Sequence, residues 1–155
     1  MQDNSYRQNV AAIVLSDKYP NVCEFFLGER HDLKGIWQFP QGGIDDGESP
    51  QDALLRELGE EIGTSEVEVL ASLPQWLSYD FPPGVKERMK PYVGQNQKYF
   101  LVKLKKDSSV NIQTAEPEFC RYEFVDYEQL LERINHFKKG VYMKALSYFR
   151  KEGYI

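Results

Sequence analysis

The chain has 155 residues and a net charge of -5, from 19 Lys plus Arg against 24 Asp plus Glu, with 41% hydrophobic and 14% aromatic residues. That is the size and composition of one soluble globular domain over residues 1–155, and it excludes a disordered, fibrous or multidomain chain. The acidic balance excludes a protein that coats long nucleic acid by neutralising phosphates, but not one that meets a nucleic-acid end: Arg133–Ile155 holds six basic residues against the single acid Glu152.

In chain order, MQDNSYRQNV lacks a basic region ahead of an apolar run, and no stretch approaches the roughly 18 apolar residues of a membrane span. A cytoplasmic, unprocessed chain without a membrane partner is expected. Asn9–Leu15 (NVAAIVL) and Val22–Leu27 (VCEFFL) are β-branched and aromatic runs around a turn with Asp17, Lys18, Pro20 and Asn21, which predicts a β-hairpin. Cys23 and Cys120 lack metal-type spacing and read as reduced thiols. Trp37-Gln38-Phe39-Pro40 leads into Gly42–Gly47, whose three glycines predict a turn. A helix follows, with Ser49 as N-cap, Pro50 at its first position, Asp52 in its opening turn and Gly63 at its end. Strands are predicted over Val67–Ala71, Gln97–Leu104 and Arg121–Val125, and a loop carrying three prolines from Phe81 to Gly94. From Tyr127 the pattern is helical, with a break near Lys139-Gly140 and a last amphipathic segment containing Val141, Ala145, Leu146 and Phe149.

The chemistry concentrates in Gly42–Thr64, GGIDDGESPQDALLRELGEEIGT. At 100° per residue Leu54, Leu55, Leu58 and Ile62 share one arc, and Glu57, Glu60 and Glu61 the adjoining one. Two carboxylates about 4 Å apart at an effective dielectric near 20 repel by about 4 kcal/mol. A divalent cation reverses that sign, and hard oxygen ligands on one face suit Mg²⁺ or Mn²⁺. A solvated acidic face is the competing reading of the spacing alone. Arg56 lies four residues before Glu60 and has Glu48 as a second partner; Gly59 inside the helix costs about 1 kcal/mol against alanine.

These residues resemble the Nudix box, G-x5-E-x7-R-E-U-x-E-E-x-G-U, where U is a bulky apolar residue. Gly42, Glu48, Arg56, Glu57, Leu58, Glu60, Glu61 and Gly63 match in register, and only Thr64 departs, at the last, aliphatic position. The resemblance implies an α/β fold, an α/β/α sandwich around a mixed β-sheet, and a Mg²⁺- or Mn²⁺-dependent hydrolase of diphosphate linkages attached to nucleosides. It also implies that Glu57, Glu60 and Glu61 ligate metal, that the loop at Gly42 and Gly43 offers a backbone carbonyl, and that Arg56 with Glu48 orders the site.

The likeness extends over about Tyr6–Phe149. Tyr6–Val10, Trp37–Gly43, Gly94–Phe100 and Pro117–Phe119 resemble bacterial RNA pyrophosphohydrolases, also described as diadenosine polyphosphate hydrolases. Such enzymes take pyrophosphate from the 5′ triphosphate end of RNA and so open mRNA to decay. By this resemblance Glu118 is a further metal ligand or a proton acceptor, and Arg7 and Arg30 meet phosphates or the first nucleotides. Gln95, Gln97 and Lys98 are further substrate contacts, although alternate strand residues face opposite sides. Phe137-Lys138-Lys139 matches an F-K-[KR] segment whose aromatic stacks on a base while a lysine contacts the chain. A core phenylalanine is the alternative for Phe137, and a surface salt bridge the ordinary one for each arginine. The Pro82-Pro83-Gly84 loop with Lys86, Arg88 and Lys90 could border the site. The expected partner is an RNA 5′ end met by a monomer; a dinucleoside polyphosphate substrate and a non-catalytic RNA-end or nucleotide sensor remain open.

Overall fold

The computed structural model describes residues 5–155; the first four residues of the expected leaderless N-terminus lie outside it. Two long strands form its spine, β1 (Tyr6–Leu15) and β7 (Gly94–Leu104), paired in parallel from Tyr6↔Gly94 to Leu15↔Lys103. β1 turns back into β2 (Phe25–Arg30) through the expected hairpin, closed by Leu15↔Phe25. Val22 and Cys23 belong to its long turn and not to the second strand. β3 (Trp37–Gln38) pairs with β2, β4 (Gln41–Gly43) with β1, β5 (Val67–Ser72) and β6 (Leu77–Asp80) with β7, and β8 (Phe119–Val125) with β2, all antiparallel. The result among the described residues is an eight-stranded mixed sheet.

Period-2 alternation in the central strands divides two cores. Ala11, Ile13, Leu15, Phe25, Leu27, Tyr99 and Leu101 face one side, while Val10, Ala12, Val14, Phe26, Phe100, Val102 and Leu104 face the other. Helix α1 (Pro50–Ile62) covers the second side with Ala53, Leu54, Leu58 and Ile62. The first side is covered by α3 (Tyr127–Arg133), through Leu130, and by α4 (Lys139–Lys151), through Val141, Tyr142, Ala145, Leu146 and Phe149. This is the α/β/α sandwich. Burying one such leucine contributes about 1.5 to 3 kcal/mol, so the apolar arc of α1 fixes which face its carboxylates turn to.

Three local expectations are corrected. Gly42 and Gly43 are strand residues, and the turn begins only after them. The proline loop contains a short helix, α2 (Pro83–Arg88), and β6 precedes it: Pro82 and Pro83 favour a helix start as well as a loop. The break between the last two helices spans 134–138, because Lys139 and Gly140 already open α4.

Candidate active site

The caps of α1 form as the sequence requires. Ser49 Oγ accepts from Asp52 N at 3.1 Å, and Gly63 takes a left-handed φ of 74° that a side chain would resist. Thr64 turns its departure from the box into a local role, its Oγ1 accepting from Glu66 N at 3.0 Å. Gly42 stands so close to α1 that a Cβ there would overlap the Glu57 carboxylate. The glycine lets strand and carboxylate share the edge of a cleft.

That cleft, about 700 Å³, is lined by Glu57, Glu60, Glu61, Glu118 and Glu116, with Arg7, Asn9, Gln41, Gly42, Gly43, Arg56 and Gly59 around them. Arg56 is the organiser. Its Nε and Nη2 donate to the two oxygens of Glu48 at 2.9 Å, its Nη2 donates to the Gly43 carbonyl at 2.8 Å, and its Nη1 donates to Glu57 Oε1 at 2.8 Å. Glu60 is held more loosely, at 3.4 Å. One guanidinium thereby fixes the turn, the strand end and the helix face, a task that its planar fork performs and a lysine could not.

The carboxylates are unequal. Glu48, satisfied by Arg56 and by the Asp45 backbone N–H, is held at a pKa of about 2. Burial raises the Glu57 carboxyl against the lowering effect of Arg56. Burial, reinforced by Glu118 and Glu57, pushes Glu61 well above the usual carboxylate range. Its Oε2 accepts one hydrogen bond, from Gln41 N at 3.1 Å. Among the described residues no three acidic, His or Cys side chains are already gathered at ligand distance. The set nonetheless fits a hard divalent cation: several carboxylate oxygens around one cleft, partly desolvated and repelling one another.

The expected substrate contacts fall into two groups. Arg7 lines the cleft, packed so tightly that a Cβ on Gly43 would strike its guanidinium. Arg30 donates bidentately to Asp32 at 2.8 and 2.7 Å, and Arg88 of α2 reaches the same carboxylate at 3.8 Å; the cleft lining includes neither arginine. Lys98 Nζ donates to the Leu73 carbonyl at 2.6 Å, and buried Gln95 donates to the Tyr79 hydroxyl at 2.9 Å. Phe137 is half-buried, 6.0 Å from the Tyr79 ring. Lys138 is not the surface lysine that a loop would suggest: it is 1% exposed, its Nζ donates to Gln38 Oε1 at 3.1 Å, and burial brings its pKa down to about 7. It lies 5.7 Å from the centres of both the Tyr79 and Phe137 rings.

Sequence reasoning passed over Asn9, Gln41 and Thr114, all in the cleft wall. The signal for Asn9 was present, since it is a carboxamide heading an otherwise apolar strand, NVAAIVL.

This arrangement, a glycine-edged carboxylate helix on a mixed-sheet sandwich, belongs with the Nudix hydrolases, and a NUDIX domain profile matches residues 5–145. The chain is a member of that family. It is 58% identical over 153 residues to an RNA pyrophosphohydrolase of Campylobacter jejuni, covering 99% of this chain and 98% of that one. It is 50% identical over 155 residues to an RNA pyrophosphohydrolase of Helicobacter pylori, covering 100% of both. In fold it resembles an Ap4A hydrolase from C. elegans (TM-score 0.70, 19% identity, 94% and 98% coverage) and the dihydroneopterin triphosphate pyrophosphohydrolase of E. coli (TM-score 0.70, 13% identity, 92% and 98% coverage).

Proposed function

We propose that this chain is an RNA 5′ pyrophosphohydrolase, acting as a cytoplasmic monomer that converts a 5′ triphosphate end to a monophosphate and so initiates mRNA decay. The observation that carries the reading is one cleft in which Glu57, Glu60, Glu61 and Glu118 confront Arg7. The near-full-length identity to RNA pyrophosphohydrolases supports this substrate class.

Glu57, Glu60, Glu61 and Glu118 would hold Mg²⁺ or Mn²⁺; of the two glycine carbonyls, that of Gly43 is engaged by Arg56 and that of Gly42 faces β1 in the strand ladder. The cation supplies charge neutralisation and a more acidic water. The chain supplies the rest. Arg56 holds Glu57 in place and ties it to Glu48 and the Gly43 carbonyl, while Arg7 would offer a guanidinium to the phosphate chain. Water adds to a phosphorus, its proton passes to a carboxylate of the cluster, and pyrophosphate departs with the electron pair of the broken P–O bond. Phe137 and Arg30 would meet the first bases, the planar ring by stacking and the guanidinium by hydrogen bonding.

The test is incubation with triphosphate-ended and monophosphate-ended RNA in Mg²⁺ or Mn²⁺. Release of pyrophosphate or phosphate from the first alone is expected, and no release would sink the proposal. A dinucleoside polyphosphate offers the same phosphate chain to the same groups, so competition between the two at physiological concentrations decides which is the working substrate.

A further inference from the structure

Beneath the cleft lies a chain of buried hydrogen bonds that the mechanism above does not use. The Tyr99 hydroxyl, with its residue fully buried, donates to Gln97 Oε1 at 2.7 Å. Gln97 Nε2 spends its two hydrogens on Asn9 Oδ1 and Gln41 Oε1, each at 2.8 Å. Asn9 and Gln97 face each other in the parallel β1–β7 pair, and both are 0% exposed. What remains is Asn9 Nδ2, a buried donor with no partner, on a residue that lines the cleft.

The direction of this chain follows from its first link. A carboxamide can be turned end for end, and Gln97 alone would serve either way: with its oxygen toward Tyr99, or with its oxygen accepting from Asn9 and Gln41. A phenol is a strong donor and a poor acceptor, because its lone pair is delocalised into the ring. Burial also pushes the Tyr99 pKa well above its usual value, so the proton stays. Tyr99 therefore selects the orientation in which Gln97 presents its oxygen to the phenol and its NH₂ to Asn9. Asn9 must then turn its oxygen to Gln97, which leaves its NH₂ on the other side of the carboxamide, buried and without a partner. Leaving that donor unpaired in a buried position costs free energy unless a ligand supplies the acceptor.

The acceptor can be placed. Asn9 is paired with Gly43, and the space that a side chain at Gly43 would fill is occupied by the Arg7 guanidinium. A second donor next to that guanidinium suits a phosphate oxygen.

We infer that Tyr99, which touches no substrate, is a positioning residue for phosphate binding: through Gln97 it fixes the Asn9 carboxamide as a donor to the substrate's phosphate chain. This rests on the proposed pyrophosphohydrolase reading for the identity of the substrate, though the relay itself needs only a phosphate-chain ligand.

The experiment compares Tyr99→Phe, Asn9→Ala and the double variant on triphosphate-ended RNA. Asn9→Ala should raise KM about tenfold with kcat changed less than threefold, since it removes a hydrogen bond to a charged group. Tyr99→Phe should raise KM about fivefold, again with little change in kcat. The double variant should be no worse than Asn9→Ala alone, because the phenol acts only through Asn9. Effects that multiply, or an unchanged KM in Tyr99→Phe, would overturn the relay. Independently of any variant's folding, the Asn9 side-chain NH₂ resonances of the ¹⁵N-labelled wild-type protein should shift when inorganic pyrophosphate and Mg²⁺ are added. Unmoved Asn9 resonances while pyrophosphate binds would reject the inference, whereas a wild type that binds pyrophosphate but never cleaves RNA would reject only the substrate reading.

Discussion

Two sets of carboxylates in this molecule are built on opposite terms. Glu29, on β2 between β3 and β8, accepts from Arg121 Nε at 2.9 Å and Nη2 at 3.2 Å, and from the Gly35 N–H at 3.0 Å. Those partners hold its pKa at about 2, as Arg56 does for Glu48. Arg121 in turn stacks over Trp37, 5.2 Å from the ring centre. In the cleft the order is reversed: Glu57 and Glu61 are pushed upward by burial first and by neighbouring acids as well. The first set closes the fold around satisfied charge. The second is less fully paired, Glu57 resting on Arg56 and Glu61 on one backbone N–H, so a carboxylate's partners and its burial together mark its role.

Breaking the second set should have the largest effect. Glu57→Gln or Glu61→Gln is expected to lower turnover by about 10³-fold or more, equivalent to about 4 kcal/mol of barrier, while the fold survives. Near wild-type turnover with intact circular dichroism would remove that residue from the ligand set. The same substitutions should not weaken the metal-free protein, since they relieve repulsion.

The contrast can also be read as a pH dependence of stability. Glu57 and Glu61 have folded pKa values above their unfolded ones, so their contribution is present below about pH 4.3 and is lost as pH rises through the folded values. Glu29 and Glu48 run the other way, contributing above about pH 4.3 and losing it as pH falls toward about 2. Adding Mg²⁺ at about 100 times its dissociation constant should stabilise the protein by about 2.7 kcal/mol near neutral pH. Thermal melts with Mg²⁺ and with EDTA from pH 4 to 8 should diverge as pH rises. Parallel curves would mean that the cluster takes no cation.

A third test concerns bases and not phosphates. Phe137→Ala should cost about 1 to 3 kcal/mol of binding on RNA and less on a small nucleotide. Equal losses on both would return Phe137 to the core, where its contact with Tyr79 already places part of it.

The carboxylate side of the candidate site was legible in sequence because it is local. Ser49, Pro50 and Gly63 bound α1, and one helical period sets Leu54, Leu58 and Ile62 against Glu57, Glu60 and Glu61. The sandwich followed from the family resemblance, and the β1–β2 hairpin from two apolar runs around a turn. What could not be read depends on partners far apart in the chain. Lys138 looks like a loop lysine until Gln38, 100 residues away, is brought to its Nζ. Asn9 and Gln97 are separated by 88 residues and meet only because β1 and β7 pair in parallel, a pairing that no local pattern announces. Lys98 and Gln95 are likewise spent on Leu73 and Tyr79, partners set by β5 and β6 lying against β7.

The smallest effect is expected at Gly59, and it sharpens the comparison from the side of the backbone. This residue lies in the interior of α1, faces the cleft, and has open space where a Cβ would project. Nothing in the folded chain therefore requires glycine there, and Gly59→Ala should stabilise the protein by about 1 kcal/mol through helix propensity alone, raising Tm by about 2 to 4 °C. If the missing side chain keeps room for substrate, the same variant should raise KM for triphosphate-ended RNA. A gain in Tm with an unchanged KM would mean that the gap beside the carboxylates serves no ligand, and that this helix carries a tolerated weakness and not a functional one.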